Sequence, residues 1–164
     1  MQQLTRKIRR SANIGLFGSI AVILVVLIFH FSPWHITYQT QEVFSWMLIS
    51  GTILAVLAVV MALFSIRNTP RRLRELPTVE QKMQGYSSYI SSLYKGSLAI
   101  VVIESILMLL MSNTNLLMIT ILLVLLMVIT FPNMYKIKND LSLTDDEMTD
   151  LYGSDYIRDP KQLQ

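Results

Sequence analysis

One acidic side chain, Glu104, stands near the centre of an apolar run, residues 97–111, and no other strongly apolar run of this chain has one. A carboxyl group in the middle of a bilayer is costly, so its presence raises a question of function. Three kinds of chemistry are open to it: exchanging a proton, binding a cation, or bonding a neighbouring helix. On a helix Ser97, Val101, Met108 and Met111 share its face. No lysine or arginine reaches that depth. Without a cation nearby, the neutral acid is the expected form. It can donate one hydrogen bond, with Ser50 or Thr52 as acceptor. The first expectation is therefore a hydrogen bond between helices or to another subunit, and the alternative is a proton- or cation-exchanging site.

Other chemistry is sparse. His30 and His35 flank Pro33 with Glu42 as the nearest carboxylate, whereas a metal site needs three or four suitably spaced ligands, so no metal is expected. The chain has no cysteine, which excludes disulfides, thiolate metal sites and cysteine nucleophiles. It has no phosphate-binding glycine loop, nucleophile elbow or His-Glu-x-x-His pattern. Neither a cofactor nor catalysis is expected. The methionines lie mostly in the apolar runs, where they fill gaps.

The elements around Glu104 follow from composition. The chain of 164 residues is 52% hydrophobic and 15% charged, against about 25% charged in soluble domains. A single membrane domain is expected, all-α: a four-transmembrane-helix bundle of two helical hairpins with short cytoplasmic amphipathic helices. A bilayer core of about 30 Å needs about 20 helical residues. The spans read as residues 13–31, 43–66, 94–112 and 116–131, with a cytoplasmic loop at 67–93 and a cytoplasmic tail at 133–164. The first run is too long for a signal peptide and lacks a small-x-small cleavage site, so it reads as a retained span. Pro33 ends it, and Trp34, His35 and Tyr38 follow at the level of the headgroups.

Span two carries Gly51, Ala55, Ala58 and Ala62 at steps of four, three and four, one stripe of small residues along a helix. Such a stripe allows close helix approach in lipid. Span one has a smaller counterpart in Ala12, Gly15, Gly18 and Ser19, so spans one and two are expected to pack there. Two threonine-led capping boxes, Thr78 with Gln81 and Thr144 with Glu147, each predict a helix start. The first helix lies along the membrane surface or extends span three. The second is a short acidic helix stopped by Gly153. Each box is followed by a tyrosine-containing end, Ser87–Ile90 and Ser154–Ile157, which suggests two copies of one unit. The residues 112–115 read as a polar turn.

Lysine and arginine set the orientation. The basic residues Arg6, Lys7, Arg9 and Arg10 precede span one, and Arg67, Arg71, Arg72 and Arg74 follow span two. All 14 lysines and arginines fall in the N-terminal segment, the 67–95 region and the tail. Positive-inside asymmetry places both termini and the long loop in the cytoplasm, and the expected location is a bacterial cytoplasmic membrane. These basic clusters meet anionic headgroups; with no nucleic-acid-binding fold, no nucleic-acid partner is expected.

Four spans with one buried glutamate resemble, in outline, the small multidrug exporters. Those are shorter and carry their essential glutamate in the first span among aromatic residues, so their activity is not carried over. The expectation is an accessory, scaffold or regulatory subunit, not an enzyme, acting through the lipid bilayer and other membrane-protein subunits or self-association. The alternative is a minimal proton-coupled transporter or channel built on Glu104.

Overall fold

A computed structural model describes residues 2–32, 41–111 and 115–153. The loop with Trp34, His35 and Tyr38, most of the expected turn at 112–115, and the second half of the suggested repeat, Ser154 to Ile157, lie outside the described residues. Six helices follow one another: α1 Gln2–His30, α2 Gln41–Arg74, α3 Val79–Met111, α4 Asn115–Ile129, α5 Met134–Leu141 and α6 Asp145–Tyr152. No strand occurs among the described residues.

Three helices, α1, α2 and α3, are long and apolar enough to cross a membrane. At 15 residues α4 is short for a span of its own. It counts as a fourth only together with α5, from which it is bent by 83°. Large apolar side chains such as Phe17, Ile28, Phe64 and Met118 point outward. Helices with such faces belong to a membrane protein with several spans.

The helices are longer than the sequence predicts. The basic residues Arg6 to Arg10 lie inside α1, and α2 runs on through Arg67, Arg71 and Arg72 to Arg74. Pro70 lies within α2. Proline removes one helical N–H and usually breaks the helix there. Here the last turn of α2 is held from outside. Arg74 donates from Nη2 to the Asn139 carbonyl at 2.8 Å and from Nε to the Asp140 carbonyl at 3.0 Å. Only residues 75–78 interrupt the chain between α2 and α3, so most of the region expected as a loop at 67–93 is helix. Of the two readings for the segment after Thr78, the structure takes the extension of span three. Gln81 N–H donates to Thr78 Oγ1 at 3.3 Å as the cap requires.

Helix α3 is the centre of the molecule, packed against α1 along its length and against α2 and α4. Contrary to expectation, α1 and α2 barely touch among the described residues. Their small residues face α3 instead. A β-carbon added at Gly15 would stand 2.7 Å from Tyr94 Cβ, and one at Gly18 would stand 3.3 Å from Leu98 Cδ1. Both helices also touch α4, but their main packing is on α3, to which each offers a backbone without bulk.

The densest core lies at the end of the bundle that carries the basic residues. Ile8 and Ala12 of α1 pack there with Met83, Tyr86, Ile90 and Tyr94 of α3, Ile137 and Leu141 of α5, and Met148 and Leu151 of α6. Helix α5 was not expected. Its signals are Asn133, whose side chain accepts from Lys136 N–H at 2.7 Å, and the apolar set Met134, Ile137 and Leu141 on one face. The α6 capping box forms as predicted: Glu147 Oε2 accepts from Thr144 N–H at 2.7 Å, and Thr144 Oγ1 accepts from Glu147 N–H at 3.3 Å. Gly153 closes that helix with a positive φ of 62°.

Candidate functional site

Glu104 sits where α3 faces α2. It is 0% exposed, and neither carboxyl oxygen has a hydrogen-bond partner among the described residues. A β-carbon on Gly51 would lie 4.0 Å from Glu104 Oε2 and 2.6 Å from Leu107 Cδ1. Gly51 therefore makes room chiefly for Leu107, with the Glu104 carboxyl at ordinary contact distance beside it. The expected bonds to Ser50 or Thr52 are not formed. Successive helical residues point about 100° apart, so with Gly51 turned to α3 its two neighbours point to the flanks. Ser50 is exposed and Thr52 half-buried.

Two further buried polar residues share this region: Ser105, read from sequence as a helix residue bonding its own backbone, and Thr120, which the sequence did not single out. Ser105, next to Glu104, is buried. Thr120 of α4 is 3% exposed and donates to its own Leu116 carbonyl at 2.9 Å. Buried Leu116 clusters with Met108, and Met127 O accepts from the Tyr94 hydroxyl at 2.6 Å. That antiparallel register of α3 and α4 puts Thr120 at the level of Glu104. A threonine in an apolar run is a weak signal, because its hydroxyl readily bonds its own helix. The level thus holds a carboxyl group without a partner, a hydroxyl able to accept a hydrogen bond, and no cation. Such a set can take up or release a proton, or hold a small cation.

A second feature comes from the small-residue stripe, which divides into two parts. Its outer half, Gly51 and Ala55, is buried against α3. Its inner half, Ala58 and Ala62, opens onto a groove of about 580 Å³ between α2 and α3. The two helices meet again near the basic end, where Gly85 and Leu73 are in close contact. Between those contacts small or hydroxylated residues, Ser65 and Thr69 on α2 and Ser88, Ser92, Gly96 and Ser97 on α3, line it together with the bulkier Met61 and Leu93. A β-carbon added at Gly96 would meet nothing within 4 Å. Ile100, at the end of the groove farthest from the basic residues, is one helical turn from Glu104.

The basic side chains that the sequence singles out, Arg6, Lys7, Arg9, Arg10, Arg67, Arg71, Arg72 and Arg74, are exposed, and all lie toward the same end of the bundle. Among the described residues no three His, Asp or Glu side chains converge to hold a metal ion. His35 lies outside the described residues. No family model, curated protein or solved structure matches the chain.

Proposed function

We propose that this chain is a four-span accessory subunit of a bacterial cytoplasmic membrane, with both termini cytoplasmic, and that it holds a transmembrane helix of another membrane protein in the groove between α2 and α3. The observation that carries the proposal is that groove. Its lining includes Ala58, Ala62 and Gly96 at the level of the apolar runs, with Ser92 at their edge. In lipid, helices associate through close backbone approach and interhelical hydrogen bonds, and this lining supplies both. An acyl chain would leave the row of hydroxyls without partners. A second copy fits poorly, because two concave faces cannot fill one another, and the chain's own outward faces carry bulky Leu57 and Phe64.

A photo-crosslinking residue placed at Ser92 and, separately, at the outward-facing Phe64 tests the reading in native membranes. The expected result is one discrete adduct from Ser92, whose crosslinked peptide belongs to a membrane span of a different protein, and none from Phe64. Gly96→Leu, whose β-carbon meets no neighbour within 4 Å, puts a bulky side chain into the groove and is expected to abolish it. An adduct of twice the chain's own mass, or none at all, overturns the reading.

A second reading rests on Glu104, whose two oxygens are buried without partners. It makes the protein a proton-coupled transporter or channel. Proteoliposomes carrying wild type or Glu104→Gln, with a pH-sensitive dye inside, test it. Proton movement in wild type that is lost in the variant supports the reading, and equal fluxes exclude it.

A further inference from the structure

A second groove, of about 500 Å³, lies between α3 and the first turns of α1, next to the first groove, with which it shares Ser88 and Ser92. The rest of its lining is Leu4 and Lys7 from α1 and Gln84, Ser87, Ser91 and Lys95 from α3. We propose that this groove seats the phosphate group of one anionic phospholipid.

The composition is that of an anion site. Lys7 and Lys95 approach it from different helices. Neither forms an ion pair or hydrogen bond among the described residues. Both are exposed, so their ammonium groups are free to turn inward. The serine hydroxyls add neutral donors for phosphate oxygens. One carboxylate opposes them: Glu80 Oε1 accepts from Gln84 Nε2 at 3.5 Å, and two lysines outnumber it.

The position selects a lipid as the source of the phosphate. The packing of Gly15 against Tyr94 fixes the register of α1 and α3. Lys95 therefore stands at the start of both apolar runs. Helical side chains lean toward the N-terminus of their own helix, and for Lys95 that direction leads out of the apolar layer and into the groove. A phosphate there would leave its acyl chains beside the exposed Ile14 and Phe17 of α1.

Native mass spectrometry of purified protein in lipid-free micelles tests the proposal, with phosphatidylglycerol, phosphatidylcholine and inorganic phosphate as separate probes. Wild type is expected to take up one phosphatidylglycerol saturably and to discriminate against phosphatidylcholine. At about 1 kcal/mol per lysine, K7Q/K95Q should bind phosphatidylglycerol about 30-fold more weakly, and each single variant about fivefold. The charge-matched control R71Q/R72Q should bind as wild type does, and circular dichroism should show equal helix content in all variants. Equal loss in the control, equal uptake of phosphatidylcholine, or no uptake would overturn the proposal. Displacement of the lipid by inorganic phosphate at comparable concentration would assign the site to the free ion and overturn the lipid source.

Discussion

Gly51 faces Glu104 across the α2–α3 contact: a β-carbon there would lie 4.0 Å from the glutamate's Oε2, at ordinary contact distance. No hydrogen bond satisfies that carboxyl group among the described residues. A buried polar group without a partner costs about 1–3 kcal/mol. Replacing Glu104 with Met, of similar length, is therefore expected to raise stability by about that amount. Thermal unfolding in detergent measures it. A loss of stability would mean that the carboxyl group has a partner in the folded protein.

Two other glycines separate packing from mere space. At Gly15 an added methyl group would stand 3.0 Å from the Tyr94 carbonyl oxygen, a backbone atom that cannot turn aside. Gly15→Ala should cost about 1–3 kcal/mol through overpacking. At Gly96 nothing lies within 4 Å, and Gly96→Ala should gain up to about 1 kcal/mol from helix propensity. The same unfolding assay compares the two.

Two tyrosines whose hydroxyls are buried should respond oppositely to loss of the hydroxyl. The Tyr86 hydroxyl donates to Asp140 Oδ2 at 2.9 Å, which ties α3 to α5, and Lys136 Nζ holds the other oxygen at 3.2 Å. Tyr86→Phe should destabilise by about 1–3 kcal/mol, since the carboxylate loses a buried donor. Tyr152 Oη has no hydrogen-bond partner among the described residues, so Tyr152→Phe should be neutral or stabilising. Burial pushes the Tyr152 phenol above its ordinary range, with Arg9 acting in the opposite direction. The folded state therefore holds this proton more tightly than the unfolded chain does. That contribution to stability is lost as pH rises past about 10, the ordinary tyrosine value. Tyr152→Phe should lose less stability in that range, as unfolding midpoints at neutral and alkaline pH would show.

Arg74 is the brace that lets α2 continue past Pro70. Arg74→Gln removes two hydrogen bonds to the last carbonyls of α5 and a positive charge at that helix end. The expected cost is about 1–2 kcal/mol. Hydrogen exchange should rise in residues 71–74 and 134–141 while the centre of α3 stays protected.

The all-helical character, the membrane class and the α6 cap were legible because each depends on local sequence: long apolar runs, and Thr144 with Glu147 three residues on. Helix pairing was not. The small faces of α1 and α2 invite packing on one another as readily as on α3, and only the three-dimensional arrangement chooses between them. Pro70 misled because the local rule ignores a distant arginine. At the candidate site Glu104 was evident from residue type alone, but its neighbours were not. Depth along a straight span cannot show that Gly51, rather than Ser50 or Thr52, turns toward it, or that Thr120 shares its level.

The central place of α3 also sets an order of events. While the chain is being made, α1 and α2 emerge before α3, and in the finished structure they barely touch each other among the described residues. The contacts that hold both of them are therefore completed only once α3 arrives. A delay in delivering α3 is expected to prolong the exposure of both helices to quality-control proteases.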